Sequence, residues 1–302
     1  MKAVRFQAYG DVDQLRYEDA PNPVPGAGEA LVKIAFSGLN PVDLIVRKGL
    51  FAQIAPLQFP AILGVDAAGT IVAVGAGVTE FAVGDRVVAH VPLNGKGAYA
   101  EMVAAPVAGI AKLPANLTFE AGATLPLVAL TGQQAVDLLG VKRGDRVLVS
   151  GALGAVGRVA VQYLQELGAV PVAGVRAARL AEGRALAGDA LDIDLAPSSP
   201  DFDYAIAVAA PAAANTVKHV RDSGKVASAV QIPEGATDGR PVAVQRFMAH
   251  DDPVVLRRAL DAAARGALTI PISATFRLSE AAEAQKALAQ GPSGKVLLVV
   301  QA

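Results

Sequence analysis

Residues 146–169 read RVLVSGALGAVGRVAVQYLQELGA. An apolar run enters a glycine-rich turn and leaves as a long amphipathic segment. That arrangement holds a dinucleotide pyrophosphate on backbone N–H groups at a helix N-terminus. In the G-x-G-x-x-G pattern Ala152 fills the first slot, Gly154 the second and Gly157 the third. Bare backbone in the second slot admits the phosphates, with Ala155 and Val156 opening the helix, and glycine in the third lets the helix lie close on its strand. Val156, Val159, Ala160, Tyr163, Leu164 and Leu167 form an i, i+3, i+4, i+7 stripe, and Gly168 is placed to stop the helix. With 30 glycines some chance spacings are expected, and VGAGVTEF at 74–81 is one: Glu80 stands in its third slot and no helical pattern follows.

The next strand, VPVAGV, runs into RAARLAEG. An acid at that strand end would bond the ribose hydroxyls of NAD, whereas arginine suits the extra phosphate of NADP. No acid occurs before Glu182, and Arg176 and Arg179 occupy the position. Two guanidiniums within one turn suit a phosphate dianion. They also fit an ordinary solvated helix start; the missing acid favours NADPH as much as the arginines do.

These residues need a scaffold. A chain of 302 residues predicts two domains. Hydrophobic residues make up 53% and charged residues 18%, ample for large cores. Residues 1 to about 118 read as short strands and turns: ALVKIAFSGL, GTIVAVGAGV and DRVVAHV, broken by PNPVPGAGE and PLNGKG. From 119 to 257 apolar runs (RVLVS, VPVAGV, YAIAVA, KVASAV) alternate with helical segments (GRVAVQYLQELG, AARLAEGRALAG, AAANTVKHVRDSG), which predicts βαβ units and a parallel sheet. The tail reads as helix, strand, helix and final strand KVLLVV.

Composition excludes several chemistries. There are no cysteines, so disulfides, thiolate catalysis and Cys-ligated zinc are impossible. The three histidines, His90, His219 and His250, are scattered. A formal net charge of −1 carries no basic footprint for nucleic acid. The longest uncharged stretches contain Pro, Gly, Thr and Gln and are too short to span a bilayer. The N-terminus, MKAVRFQAYG, lacks a signal-peptide core, which predicts a cytosolic protein.

GLNPVDLIVRKG, FPAILGVDAAGTIVAVGAGV, FAVGDRVVA, GAYAEMV, LPLVALTG and GKVLLVV, in that order, resemble the zinc-free quinone oxidoreductases of the medium-chain dehydrogenase/reductase superfamily. The resemblance covers nearly the whole chain. It implies an α/β fold in which a Rossmann doubly wound parallel sheet (119–257) is inserted in a GroES-like β-rich catalytic domain (1–118 plus 258–302). It also implies a cofactor cleft between the two and a homodimer. The zinc branch carries a ligand Cys and a His-Glu pair where this chain has GLNPVD and GVDAAG, so no metal is expected.

In NPVD, Asn40 can cap a helix with Pro41 at its first position and Asp43 at its third. In the family this segment borders the nicotinamide and substrate, which makes Asn40 a candidate polar contact; capping alone stays open. The resemblance likewise places Thr131 at the nicotinamide end. Ile45 and Phe51 stand where many relatives carry tyrosines, and Leu195 replaces another, so no obvious proton donor is left. Tyr99 reads as structural, Arg47 and Lys48 as a solvated helix face, and His250 as a boundary residue. The expected activity is hydride transfer from NADPH to a small, hydrophobic, electron-poor acceptor: a quinone or the β-carbon of an α,β-unsaturated carbonyl. An enoyl-thioester reductase and a non-catalytic NADPH-binding sensor are the alternatives.

Overall fold

Glu29–Gly38 is the strand around which the β-rich unit is built in the computed structural model, which describes residues 1–300. Along one edge its first half pairs with Met102–Pro106 and its last residues pair with Lys295–Val299, while Asp66–Val74 runs along the other edge. Arg86–His90 and Ile110–Lys112 extend the sheet on the Asp66 side, and Ile272–Arg277 extends it beyond Lys295–Val299. A three-stranded sheet orders Arg16–Asp19, Lys2–Phe6 and Ala61–Ile62. The alternating apolar positions face two cores. One gathers Ile34, Ile71, Val87, Val103 and Ile110, the other Phe6, Leu39, Val46, Leu63, Tyr99 and Leu298. The tail strands Ile272–Arg277 and Lys295–Val299 are parallel and joined through helix Ala281–Ala289. The final strand therefore returns to the β-rich unit, as the family resemblance implies.

Two short helices matter for the site: α1 (Pro41–Arg47) and α2 (Phe119–Ala123). Gly49, at φ +78°, ends the α1 turn. The glycines of VGAGVTEF are explained within this unit. Gly77 sits in a turn at φ +82°, and a Cβ on Gly75 would lie 1.7 Å from Gly26 O.

Helix α3 (Pro126–Leu139) starts with Pro126 and Leu127 in the first unit and continues from Val128 in the second, which also carries α4 (Ala155–Glu166). The second unit's six-stranded sheet runs Asp189–Asp192, Val170–Val175, Arg146–Ser150, Phe202–Ala207, Val220–Ser228, Ala243–Arg246, with every neighbouring pair parallel. This is the doubly wound order in which the first strand lies at the centre. The outermost strands were not evident as apolar runs, because edge strands are half-exposed and carry charge: Asp189, Asp192 and Arg246. The segment AAANTVKHVRDSG divides. Its helix ends at Lys218, and the strand begins at Val220, whose buried side chain joins the core with Phe202. On α4 the buried face includes Val159, Ala160, Tyr163 and Leu164 and also takes in Val161, whereas Leu167 lies past the helix end and is partly exposed.

The units comprise 1–127, 251–264 and 270–302 on one side and 128–250 with 265–269 on the other. These crossings lie several residues from the 118/119 and 257/258 positions expected from composition, for packing reasons. α2 sits on the β-rich core, where a Cβ on Gly122 would touch Leu113 and Val88. Asp251 meets His90 Nδ1 at 2.7 Å. Thr269 N–H donates to Gln162 on α4. Among the described residues no helix is long and apolar enough to cross a membrane.

Gly75→Ala tests the packing account of the chance motif. Forcing the Gly26 carbonyl aside should destabilise the β-rich unit by about 1–3 kcal/mol in denaturant unfolding, with dinucleotide affinity unchanged.

Candidate functional site

The strand Arg146–Ser150 lies where the strand order reverses, between Val170–Val175 and Phe202–Ala207. Open α/β sheets leave their ligand crevice at the carboxyl ends of strands at such a point. The glycine turn departs from there. Gly151 takes φ +77° and donates its N–H to Gly174 O at 3.1 Å. The left-handed position thus precedes the first fingerprint slot, and Ala152, whose φ is not positive, is simply buried in the core. Gly157 is required by packing, since a Cβ would lie 2.2 Å from Gly151 O and 2.7 Å from Ala152 Cα.

Gly154 is different. Its φ of −75° and ψ of 164° suit any residue, and a Cβ would meet only Gly151 O, at 3.3 Å. It is exposed. Neither strain nor internal packing strictly demands glycine there, so the bare backbone leaves room for an outside group. Behind it Ala155, Val156 and Gly157 form the first turn of α4, whose N–H groups have no intrahelical acceptors and whose dipole favours an anion. These residues fit a dinucleotide pyrophosphate.

The two arginines after the second strand are not equivalent. Arg179 is clamped by Glu182, with Nε at 3.0 Å from Oε1 and Nη2 at 2.6 Å from Oε2. Arg176 is mostly exposed, and its ion pair to Asp194 is long, 3.8 Å. A third arginine belongs to the group. Arg158, in the first turn of α4, bends back so that Nε donates to Leu153 O at 3.1 Å. Partial burial and then the nearby Arg179 charge lower its pKa. Its placement directly after the third glycine was the signal in the sequence.

In the β-rich unit the NPVD segment enters a buried polar cluster. Asn40 Nδ2 donates to Asp66 Oδ2 at 2.9 Å and, more weakly, to Gly38 O at 3.4 Å. Lys295 Nζ donates to Asn40 Oδ1 at 2.7 Å and to Asp66 Oδ2 at 2.8 Å. All three side chains are at most 3% exposed. Both amide hydrogens of Asn40 are therefore committed inside the protein. Asp43 Oδ2 accepts the Asn40 backbone N–H at 2.8 Å and the Tyr99 hydroxyl at 3.0 Å. Burial pushes the Asp43 carboxyl up to about 7, against the opposing pull of those two hydrogen bonds. Burial and the Asp43 carboxylate raise Tyr99 well above the ordinary phenol range.

Thr131 is buried on α3 and belongs to the second unit; Asn40 belongs to the first. Ile45, on α1, is partly exposed, and Phe51 packs partly against the Phe6–Tyr99 core. Arg47 is not on a solvated face. It is buried, and its Nε donates to Gln285 at 2.7 Å, because α1 packs against the Ala281–Ala289 helix. Lys48 and His250 are exposed, and Leu195 is largely so. Asp66 and Lys295 were not singled out from the sequence. Each is a charge inside an apolar run (AILGVDAAG and GKVLLVV), a signal that a buried partner exists somewhere. Among the described residues no three His, Cys, Asp or Glu side chains converge as a metal requires.

Comparison with known proteins agrees with this geometry. Residues 26–115 match the family described as "Alcohol dehydrogenase GroES-like domain" and 167–298 the family described as "Zinc-binding dehydrogenase". A chloroplastic quinone-oxidoreductase homolog of Spinacia oleracea is 36% identical over 186 residues, covering 59% of this chain and 56% of that protein. The match thus spans about half the length of such curated relatives. The structure of the quinone oxidoreductase from Coxiella burnetii superposes with a TM-score of 0.90 at 26% identity, covering 100% of this chain and 99% of that one. An NAD-dependent alcohol dehydrogenase superposes over 100% of both chains with a TM-score of 0.86 at 28% identity.

Two outcomes test the site. Gly154→Ala should cost at most about 1 kcal/mol of stability, since only a helix-cap preference is lost, yet weaken dinucleotide binding at least tenfold; Gly157→Ala should lower stability outright. The second concerns pH. The folded Asp43 carboxyl titrates above its ordinary 3.8, so its contribution is complete below that value and is lost as pH rises through about 7. The shift corresponds to on the order of 4 kcal/mol. Unfolding measured from pH 4 to 8 should show a flatter profile for Asp43→Asn than for the natural protein.

Proposed function

Because the chain belongs to the medium-chain dehydrogenase/reductase superfamily, we propose that it is a cytosolic, NADPH-dependent reductase of the quinone oxidoreductase type. The acceptor is a quinone or the β-carbon of an α,β-unsaturated carbonyl. The observation that carries the cofactor choice is the end of the Val170–Val175 strand, where exposed Arg176 has only a long contact to Asp194 and where the sequence carries no Asp or Glu before Glu182. The names of the spinach and Coxiella relatives support the acceptor class.

The reduced nicotinamide supplies the hydride when bound. The chain's own residues bind and orient. The backbone N–H groups of Ala155, Val156 and Gly157 would hold the pyrophosphate beside the bare backbone of Gly154, with Ala152 buried in the core. Arg176 would meet the 2′-phosphate, with Arg179 and Arg158 adding positive charge nearby. The family resemblance assigns Asn40 and Thr131 to the reacting end, and apolar Ile45 and Phe51 would favour a small hydrophobic acceptor. Hydride addition to the acceptor would give an enolate or hydroquinone anion, and water would supply its proton. Rate enhancement then comes from proximity and exclusion of bulk water. The family resemblance also supports a homodimer.

The direct test mixes the protein with NADPH and a panel of quinones, enones and enoyl thioesters and follows nicotinamide absorbance. Tight NADPH binding with no turnover would sink the enzyme reading. For the cofactor, Arg176→Ala should raise the NADPH Kd about 10–100-fold, the size of a charge-assisted contact, and leave NADH within a few-fold. Arg179→Ala should lose less, because Glu182 already neutralises that guanidinium. Equal losses for both cofactors would contradict the NADPH assignment.

A further inference from the structure

α3 takes a hydrogen-bond acceptor for its first turn from a distant strand. The residue before the helix is Leu125, which has no side-chain acceptor, and Thr124 turns its Oγ1 back to Ala121 O at 2.7 Å. That acceptor lies 61 residues earlier: Asp66 Oδ1 accepts the Leu127 N–H at 2.8 Å. The other carboxylate oxygen, Oδ2, accepts from Asn40 Nδ2 and from Lys295 Nζ. One carboxylate thus holds two things at once. It fixes the Asn40 amide, and it fixes the first turn of the helix that carries Thr131 one turn later.

This arrangement has an electrostatic condition. Asp66 is fully buried, and an isolated carboxylate there would face a desolvation penalty of several kcal/mol. Lys295 supplies the compensating charge, and the α3 N-terminus adds a favourable dipole. Lys295 Nζ also grips Asn40 Oδ1, so Asn40 is held at both ends of its amide. A buried ion pair needs its remaining hydrogen-bonding capacity met by some donors. The donors that meet it here, the Leu127 N–H and the Asn40 amide, are those at the starts of α3 and α1, so the pair's own stability and the placement of these two groups are coupled.

We propose that Asp66 and Lys295 are positioning residues for hydride transfer: they touch neither substrate nor cofactor and set Asn40 and the start of the Thr131 helix. The kinetic part of this inference rests on the reductase reading above. The double variant Asp66→Leu, Lys295→Met removes both charges together and leaves no uncompensated ion. We expect kcat to fall at least tenfold while the acceptor KM and the NADPH Kd stay within threefold. We also expect the Leu127 amide to exchange with solvent at least tenfold faster. Lys295→Arg should keep kcat within threefold. If the double variant does not fold, Asp66→Asn carries the same kinetic measurements.

A kcat within twofold of the natural protein, with the Leu127 amide loosened, would reduce the pair to a structural staple and overturn the proposal. Unchanged Leu127 exchange would overturn it as well. If the natural protein turns over no quinone or enone, the reductase reading fails separately. Leu127 exchange and the Asn40 side-chain NH₂ resonances then still decide whether the pair positions these groups.

Discussion

The β-rich unit depends on a buried ion pair. Asp66 and Lys295 lie in different strands 229 positions apart, yet their charged atoms meet at 2.8 Å in a region without solvent. Such a pair is stable only when its remaining hydrogen-bonding capacity is met. Here Asn40 and Leu127 meet it. Gly38 permits the close approach, since a Cβ there would lie 2.4 Å from Ala123 O and 3.1 Å from the Asp66 side chain. The Asp66–Val74 strand, the start of α1, the start of α3 and the final strand are therefore tied through one carboxylate.

Beside this pair sits a second buried acid of another kind. Asp43 has no counter-charge in contact, only neutral donors, and burial raises its pKa to about 7. The two carboxylates thus differ in surroundings: Asp66 has an ammonium partner, whereas Asp43 is contacted only by neutral donors. The Asp43 Oδ1 atom has no hydrogen-bond partner, which fits a carboxyl that readily holds its proton.

The second unit follows close packing and backbone geometry. Gly151, Gly157 and Gly154 answer three different needs: a positive φ, helix-to-strand contact, and open backbone. The periodic pattern and spacing made this turn legible, because local repeats encode a strand, a turn and a helix directly. The alternation of apolar runs with helical segments made the parallel sheet legible for the same reason. Its two outer strands were not, since half-exposed edges lack the continuous apolar signal of central strands. The helix–strand break at Lys218–Val220 was hidden because a buried valine fits either element.

What the sequence determined by itself is the local and periodic part: two fold types, the dinucleotide turn, and a strand end with arginine and no acid. The tertiary structure decided everything that needed distant residues to meet. It clamped Arg179 onto Glu182 and left Arg176 weakly paired, and it brought Arg158 back over the turn. It buried Arg47 against Gln285 and turned Asn40 inward to Asp66 and Lys295. The physical reason is that periodicity reports which face of one element is apolar. The partner of a buried charge is set by how strands far apart in the chain come together.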